Sequence, residues 1–211
     1  MKGLFFTDVH GSEAALRWVK KNGENFSVVL VGGDLTHGGE SEFTERFLEM
    51  LSQLEPPVIF VPGNSDPKDL VIPSNLTSLH GKKYRLGSLF VGGLGGSNLT
   101  PFNTPFEVPD EQAERTLDSI GPVEVLVSHC PPYHTKCDTT SSMEYIGSRP
   151  VRSYVEKYAP RLVLSGHVHE ARSVDKIGKT TIVNPGPLMF GNFAVVDLSR
   201  GVSVELKNEE L

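Results

Sequence analysis

The chain has 211 residues, 38% of them hydrophobic, with a formal net charge of −6 and only two cysteines. That length and composition suit one domain spanning 1–211 with a sizeable core, because no linker divides it. The excess of acid and the scattered lysines and arginines exclude sequence-independent grip on a long nucleic acid, which needs a clustered cationic face.

Residues 3–7 read as an apolar strand that delivers Asp8-Val9-His10-Gly11. Ser12 is a good N-cap, and Ala15, Leu16 and Val19 share one face of the helix that follows, stopped by Gly23. The run 26–31 is short, β-branched and ended by two glycines, so it predicts a buried strand with Asp34 just past its carboxyl end. A second amphipathic helix is expected over 41–54, with Phe43, Phe47, Met50 and Leu51 at helical spacing and Pro56-Pro57 closing it. Strand 58–61 then delivers Pro62-Gly63-Asn64-Ser65-Asp66. Three successive β-α units therefore place polar groups at the edge where α/β sheets bind ligands.

The pattern changes after residue 83. Short strands are expected at 84–86 and 89–91, then a long loop over 92–109, read as a mobile wall over the site. A charged helix spans 109–119, and strand 123–127 delivers Ser128-His129-Cys130-Pro131-Pro132. After a second irregular loop, Pro150 sits near the start of a helix ending at Tyr158. Strand 162–164 delivers Gly166-His167-Val168-His169. The segments 181–183, 194–196 and 202–204 read as antiparallel strands. The order β-α-β-α-β, then mixed, then all-β predicts two packed sheets with helices outside.

The strand ends together supply Asp8, His10, Asp34, Asn64, His129, His167 and His169, including four of the seven histidines. Period two puts both side chains of D-x-H, and of H-x-H, on one side of a strand. Carboxylate, imidazole and carboxamide donors without thiolates suit a borderline divalent ion rather than calcium or a structural zinc. Each motif alone is weak, and a lone loop histidine is most often a surface residue. All of them in order, each after an apolar strand, form a metal site.

These residues resemble the calcineurin-like metallophosphoesterases: D-x-H at Asp8 and His10, G-D at Gly33 and Asp34, G-N-x-D at Gly63, Asn64 and Asp66, a lone His129, and G-H-x-H at His167 and His169. The likeness runs from residue 4 to about 186, and within the family it is to small single-domain bacterial and archaeal phosphoesterases. It implies a four-layer α-β-β-α sandwich of two mixed sheets flanked by helices. It also implies two divalent metal ions, manganese foremost, with iron, zinc or nickel as alternatives. One ion would take Asp8, His10, Asp34 and His169; the other Asp34, Asn64, His129 and His167, with Asp34 between them. The implied activity is in-line hydrolysis of a phosphoester by a hydroxide shared between the ions.

One departure bears on substrate. Many members carry histidine after the asparagine to protonate the leaving oxygen, and here the position is Ser65, too weak an acid to replace it. His37, three residues past Asp34, is the first replacement considered and His134 the second, while His80 reads as structural. Asp66 joins His37 as a residue expected to serve catalysis. The segment also lacks the Asp-Arg pair of protein phosphatases. A small phosphoester substrate follows, with a lean to small or cyclic phosphodiesters bearing good leaving groups. The alternative is a catalytically weak scaffold on the same fold.

Other motifs fail on chemistry. His129-Cys130 with Lys136 approaches a cysteine-phosphatase loop, but Pro131 and Pro132 remove two amide donors and lysine replaces arginine. Gly178-Lys179-Thr180 lacks the first glycine of a P-loop, and Gly93-Leu94-Gly95 lacks the third glycine of a dinucleotide fingerprint. Few cysteines fit a reducing compartment, no apolar run nears the roughly 20 residues of a spanning helix, and a strand starting at residue 3 leaves no room for a signal peptide. The expected location is cytoplasmic.

Overall fold

The computed structural model describes residues 1–39, 41–199 and 201–211. The first half contains β1 (Lys2–Phe6), α1 (Glu13–Asn22), β2 (Val28–Val31), α2 (Ser41–Ser52), β3 (Val58–Phe60), β4 (Thr77–Ser78), β5 (Lys82–Leu86) and β6 (Leu89–Leu94). The second half contains α3 (Asp110–Ile120), β7 (Val125–Ser128), α4 (Arg149–Tyr158), β8 (Leu162–Leu164), β9 (Ser173–Ile177), β10 (Thr180–Asn184), β11 (Asn192–Asp197) and β12 (Ser203–Asn208). They form two six-stranded mixed sheets, ordered β12-β11-β1-β2-β3-β4 and β5-β6-β7-β8-β10-β9.

Alternation along the strands builds the layers. In the first sheet Leu4, Phe6, Val29, Val31, Val58 and Phe60 face outward onto Ala15, Val19, Phe47 and Leu51 of α1 and α2. Their neighbours Phe5, Val28, Leu30 and Ile59 face inward and meet Val91, Val125, Val127, Leu162 and Leu164 of the second sheet. Leu126, Val163 and Ile182 cover the far side against Leu117, Ile120, Val151 and Val155 of α3 and α4. Strands buried on both faces lose the in-out alternation of a half-exposed strand and read as unbroken apolar runs. The four-layer α-β-β-α sandwich follows.

Ser12 caps α1 by accepting from Ala15 N–H at 3.2 Å, and Ser148 caps α4 by accepting from Val151 N–H at 3.3 Å. Strands β1, β2 and β3 run parallel side by side, as do β6, β7 and β8. All five ligand-bearing loops therefore leave carboxyl ends of neighbouring parallel strands. Three come from one sheet and two from the other, so they meet at the seam between sheets.

The structure refines three expectations. The strand at 181–183 is antiparallel to β9, as expected, but its other edge pairs parallel with β8, because the chain leaves β8, turns back through the edge strand β9 and returns as β10. Strands β4 and β9 were not expected; β4 has two residues, and β9 is a polar edge strand with no continuous apolar face. The wall expected over 92–109 begins as the end of β6 and is then tied down by hydrogen bonds. Phe106 N–H donates to the Asn64 carbonyl at 2.9 Å and Gly96 N–H to Pro62 at 2.9 Å. The Glu107 carboxylate gathers Thr100 Oγ1, Thr104 N–H and Thr104 Oγ1, and these bonds outweigh its slight burial and pull its pKa down to about 2.

Candidate metal centre

Each ligand loop is held by backbone before any side chain is considered. Asp8 N–H donates to Gly33 O at 2.9 Å, and Val9 and His10 N–H both donate to Asp34 O at 2.8 and 3.0 Å, zipping the first two loops together. His129 N–H donates to Leu94 O at 3.0 Å, and Gly166 N–H reaches His129 O at 2.9 Å. The turns are tight enough that Asp8, His10, Asp34 and His167 all have positive φ, at 56°, 46°, 53° and 65°. Non-glycine residues occupy that region uncommonly, and clusters of them mark functional sites.

Asp8, His10 and His169 offer ligand atoms within 4.8 Å of one another, and so do Asp8, Asp34 and His129. His10 Nε2 lies 3.0 Å from His169 Nε2 and 3.8 Å from Asp8 Oδ1. Asp34 turns one oxygen to each side: Oδ2 is 3.7 Å from His10 Nε2, and Oδ1 is 3.5 Å from His129 Nε2. His129 Nε2 is 3.0 Å from Asn64 Oδ1, and its ring packs edge-on to His167 with centroids 5.2 Å apart. Six of the expected ligands thus lie within 4 Å of another through their side chains, and His167 packs against them through its ring.

The imidazoles are oriented from behind. His10 Nδ1 donates to Thr36 O at 3.0 Å and His129 Nδ1 to Gly32 O at 2.7 Å, which leaves each Nε2 facing the cluster. Asp8 is 1% exposed and Asp34 3%, yet every ion-pair partner of either among the described residues is a histidine. Two buried carboxylates with no lysine or arginine to neutralise them fit cations.

The titration of the metal-free groups reflects the same field. Burial raises Asp34, but the His129 charge overrides it and holds the carboxyl well below the usual range. Burial likewise pulls His129 down, but the Asp34 carboxylate pushes it up to about 9. His167 is buried beside that His129 charge and falls to about 4.

The remaining expected residues take distinct places. His37 is exposed and its ring stacks on His10 with centroids 4.6 Å apart and planes 24° apart. Asp66 is fully buried and accepts three backbone amides: Leu35 and Thr36 on Oδ1 at 2.8 and 3.1 Å, and Gly63 on Oδ2 at 2.8 Å. Burial, then the Asp34 charge, push its pKa up to about 7. It ties the Asp34 loop to the Asn64 loop, contacts that suit a positioning residue. Ser65 donates through both N–H and Oγ to Asp34. His134 packs on Tyr145 at 4.4 Å between centroids, and His80 accepts from Gly95 N–H and packs on Phe106, a structural role as expected.

Asn184 lies outside the set of expected ligands but supports it. It is fully buried, and its Nδ2 donates to Val168 O at 2.9 Å and Gly166 O at 3.3 Å, holding the turn that carries His167 and His169. Its signal was a carboxamide at the end of an apolar strand, just before Pro185-Gly186. Cys130 is 1% exposed, with burial pushing its thiol up to about 12, which removes it as a nucleophile.

A family model described as calcineurin-like phosphoesterase matches residues 1–171. An uncharacterized protein of Methanocaldococcus jannaschii is 37% identical over 203 residues, 90% of each chain. A Vesicomyosocius okutanii protein named "Probable cyclic nucleotide phosphodiesterase" is 26% identical over 179 residues, covering 80% of this chain and 73% of its own. The crystal structure of TT1561 from Thermus thermophilus shares the fold with a TM-score of 0.76 at 21% identity, over 98% of both chains.

Proposed function

The chain belongs to the calcineurin-like phosphoesterase family, and from that premise we propose that it is a dinuclear metal-dependent hydrolase of small or cyclic phosphodiesters. The observation that carries this reading is the split of the Asp34 carboxylate, Oδ2 toward His10 at 3.7 Å and Oδ1 toward His129 at 3.5 Å. A carboxylate so placed spans two positions. Asp8, His10 and His169 complete one side, and Asn64, His129 and His167 the other. When bound there, two divalent cations, with manganese as the first choice, supply the charge that activates water and steadies phosphoryl oxygens.

The chain's own residues set the preference among substrates. Ser65 occupies the place of a general acid, but its hydroxyl donates to Asp34 Oδ2 at 3.0 Å and is committed there. With Ser65 unable to act as the acid, leaving groups that need little protonation are favoured. For other leaving groups the proton is proposed to come from His37, whose exposed ring stacks on His10. The name carried by the Vesicomyosocius okutanii relative supports a diester substrate. The complete donor set favours a hydrolase over a scaffold that retains only the fold.

The test is turnover by protein stripped with chelator and reloaded with manganese. Bis(p-nitrophenyl) phosphate should be hydrolysed faster than an alkyl phosphomonoester, and chelation should abolish both. Faster monoester hydrolysis would remove the diesterase assignment, and chelator-resistant turnover would remove the metal one.

A further inference from the structure

We propose that the loop joining β7 to α4 forms a stacking subsite for the base of a nucleoside phosphoester; the inference rests on the phosphoesterase reading and narrows its substrate class. The loop starts at His129 itself and runs through Pro131-Pro132 to Tyr133. It leaves the carboxyl end of β7, the same edge as the metal ligands, and is fastened to the His167–His169 turn. Ser141 N–H donates to Oε1 of Glu170, the residue after His169, at 2.9 Å. Asn184 Nδ2 links Cys137 O on the loop, at 3.2 Å, to Val168 O on the turn, at 2.9 Å.

The loop carries an aromatic and cationic cluster that the metal site does not use. Tyr145 meets His134 at 4.4 Å between centroids and Tyr133 at 6.1 Å, and the Arg149 guanidinium lies 4.0 Å from the Tyr133 ring centre. Tyr145 is 41% exposed, in a chain that buries most of its large apolar surface. Among the described residues Arg149 forms no ion pair, so its donors are not spent on a carboxylate.

The cluster is also preorganised. Buried Asp138 accepts His134 N–H at 3.0 Å, Thr135 N–H at 2.6 Å and Gly147 N–H at 2.9 Å, closing both ends of the loop on one carboxylate. Stacking a base on an aromatic side chain is favourable for any base, because each has a π-face. Rings held before binding lose little freedom when they do so. The nitrogens of Arg149 and His134 beside the rings add hydrogen-bonding groups that a heterocycle uses and a sugar phosphate without one does not.

The experiment is calorimetric titration of the manganese-loaded protein with AMP, ribose 5-phosphate and inorganic phosphate. AMP should bind about tenfold or more tighter than ribose 5-phosphate, the scale of one stacked base. Tyr145→Ala should erase that gap while phosphate affinity stays the same, and Tyr145→Phe should keep it. Equal affinity of the two sugar phosphates, or a gap unchanged in Tyr145→Ala, overturns the subsite and leaves the hydrolase reading standing. Binding of none of the three overturns the subsite together with the phosphoester site. An AMP preference in a protein that hydrolyses no phosphoester supports the subsite and removes only the activity.

Discussion

Ser65 grips Asp34 with both of its donors: the backbone N–H reaches Oδ1 at 2.8 Å and the hydroxyl reaches Oδ2 at 3.0 Å. Ser65 is thus a clamp on the carboxylate proposed to span the centre. Removing the hydroxyl leaves Oδ2 free to rotate, and partners of this kind are worth about 10- to 100-fold in metal affinity. Ser65→Ala should weaken manganese binding by that factor, measured by titration of the stripped protein. Unchanged affinity would make the hydroxyl contact incidental.

Gly63 is required by contact rather than by flexibility. A Cβ built there would lie 2.0 Å from Asp34 Oδ1 and 2.2 Å from Asp34 N, distances no side chain tolerates. Gly63→Ala should therefore displace Asp34 and lower bound metal per chain, read by elemental analysis after dialysis. Gly201→Ala, where a Cβ meets nothing within 4 Å, should keep full metal content.

Cys130 follows the expected ligand His129 but is buried, and it is expected to take no part in the chemistry. Its S–H donates to Asn98 Oδ1 at 3.0 Å, and at neutral pH a thiol shifted to about 12 is essentially all protonated. Cys130→Ala should retain turnover within a few-fold of the parent, and iodoacetamide should leave the native enzyme active. Loss of turnover with normal metal content would reinstate a thiol mechanism.

The proposed role of His37 separates substrates by leaving group. Its exposed ring stacks on His10, and it is proposed to assist the departing oxygen without holding metal. His37→Gln should cost about 100-fold or more on an alkyl leaving group, the scale of general acid catalysis. Release of p-nitrophenolate, which needs no proton, should change only a few-fold. Equal losses on both would assign His37 to positioning His10.

Much of this was legible because the ligands sit where apolar runs stop. Asp8, Asp34, Asn64, His129 and His167 each follow a strand whose burial on both faces makes it readable as an uninterrupted hydrophobic stretch. The parallel edge of β10 was not legible. Nothing in Thr181-Ile182-Val183 distinguishes a parallel neighbour from an antiparallel one, because β10 takes its direction from the turn through β9. Contacts between loops were hidden for a related reason. Asp66 looked like part of a catalytic motif, but its three amide donors come partly from Leu35 and Thr36, about thirty residues earlier, and spacing alone reveals no such bond. Asn184, tied to Gly166 and Val168, and Ser65, tied to Asp34, were obscured in the same way.

The central claim is that Asp34 belongs to both halves of the centre. Its two oxygens divide between His10 and His129, and the field of His129 keeps it ionised despite burial. The most direct test is manganese titration of Asp34→Asn against the parent, resolving two equivalents and their affinities. The account predicts that both affinities fall together and that turnover is lost. Weakening of one site with the other unchanged would contradict it.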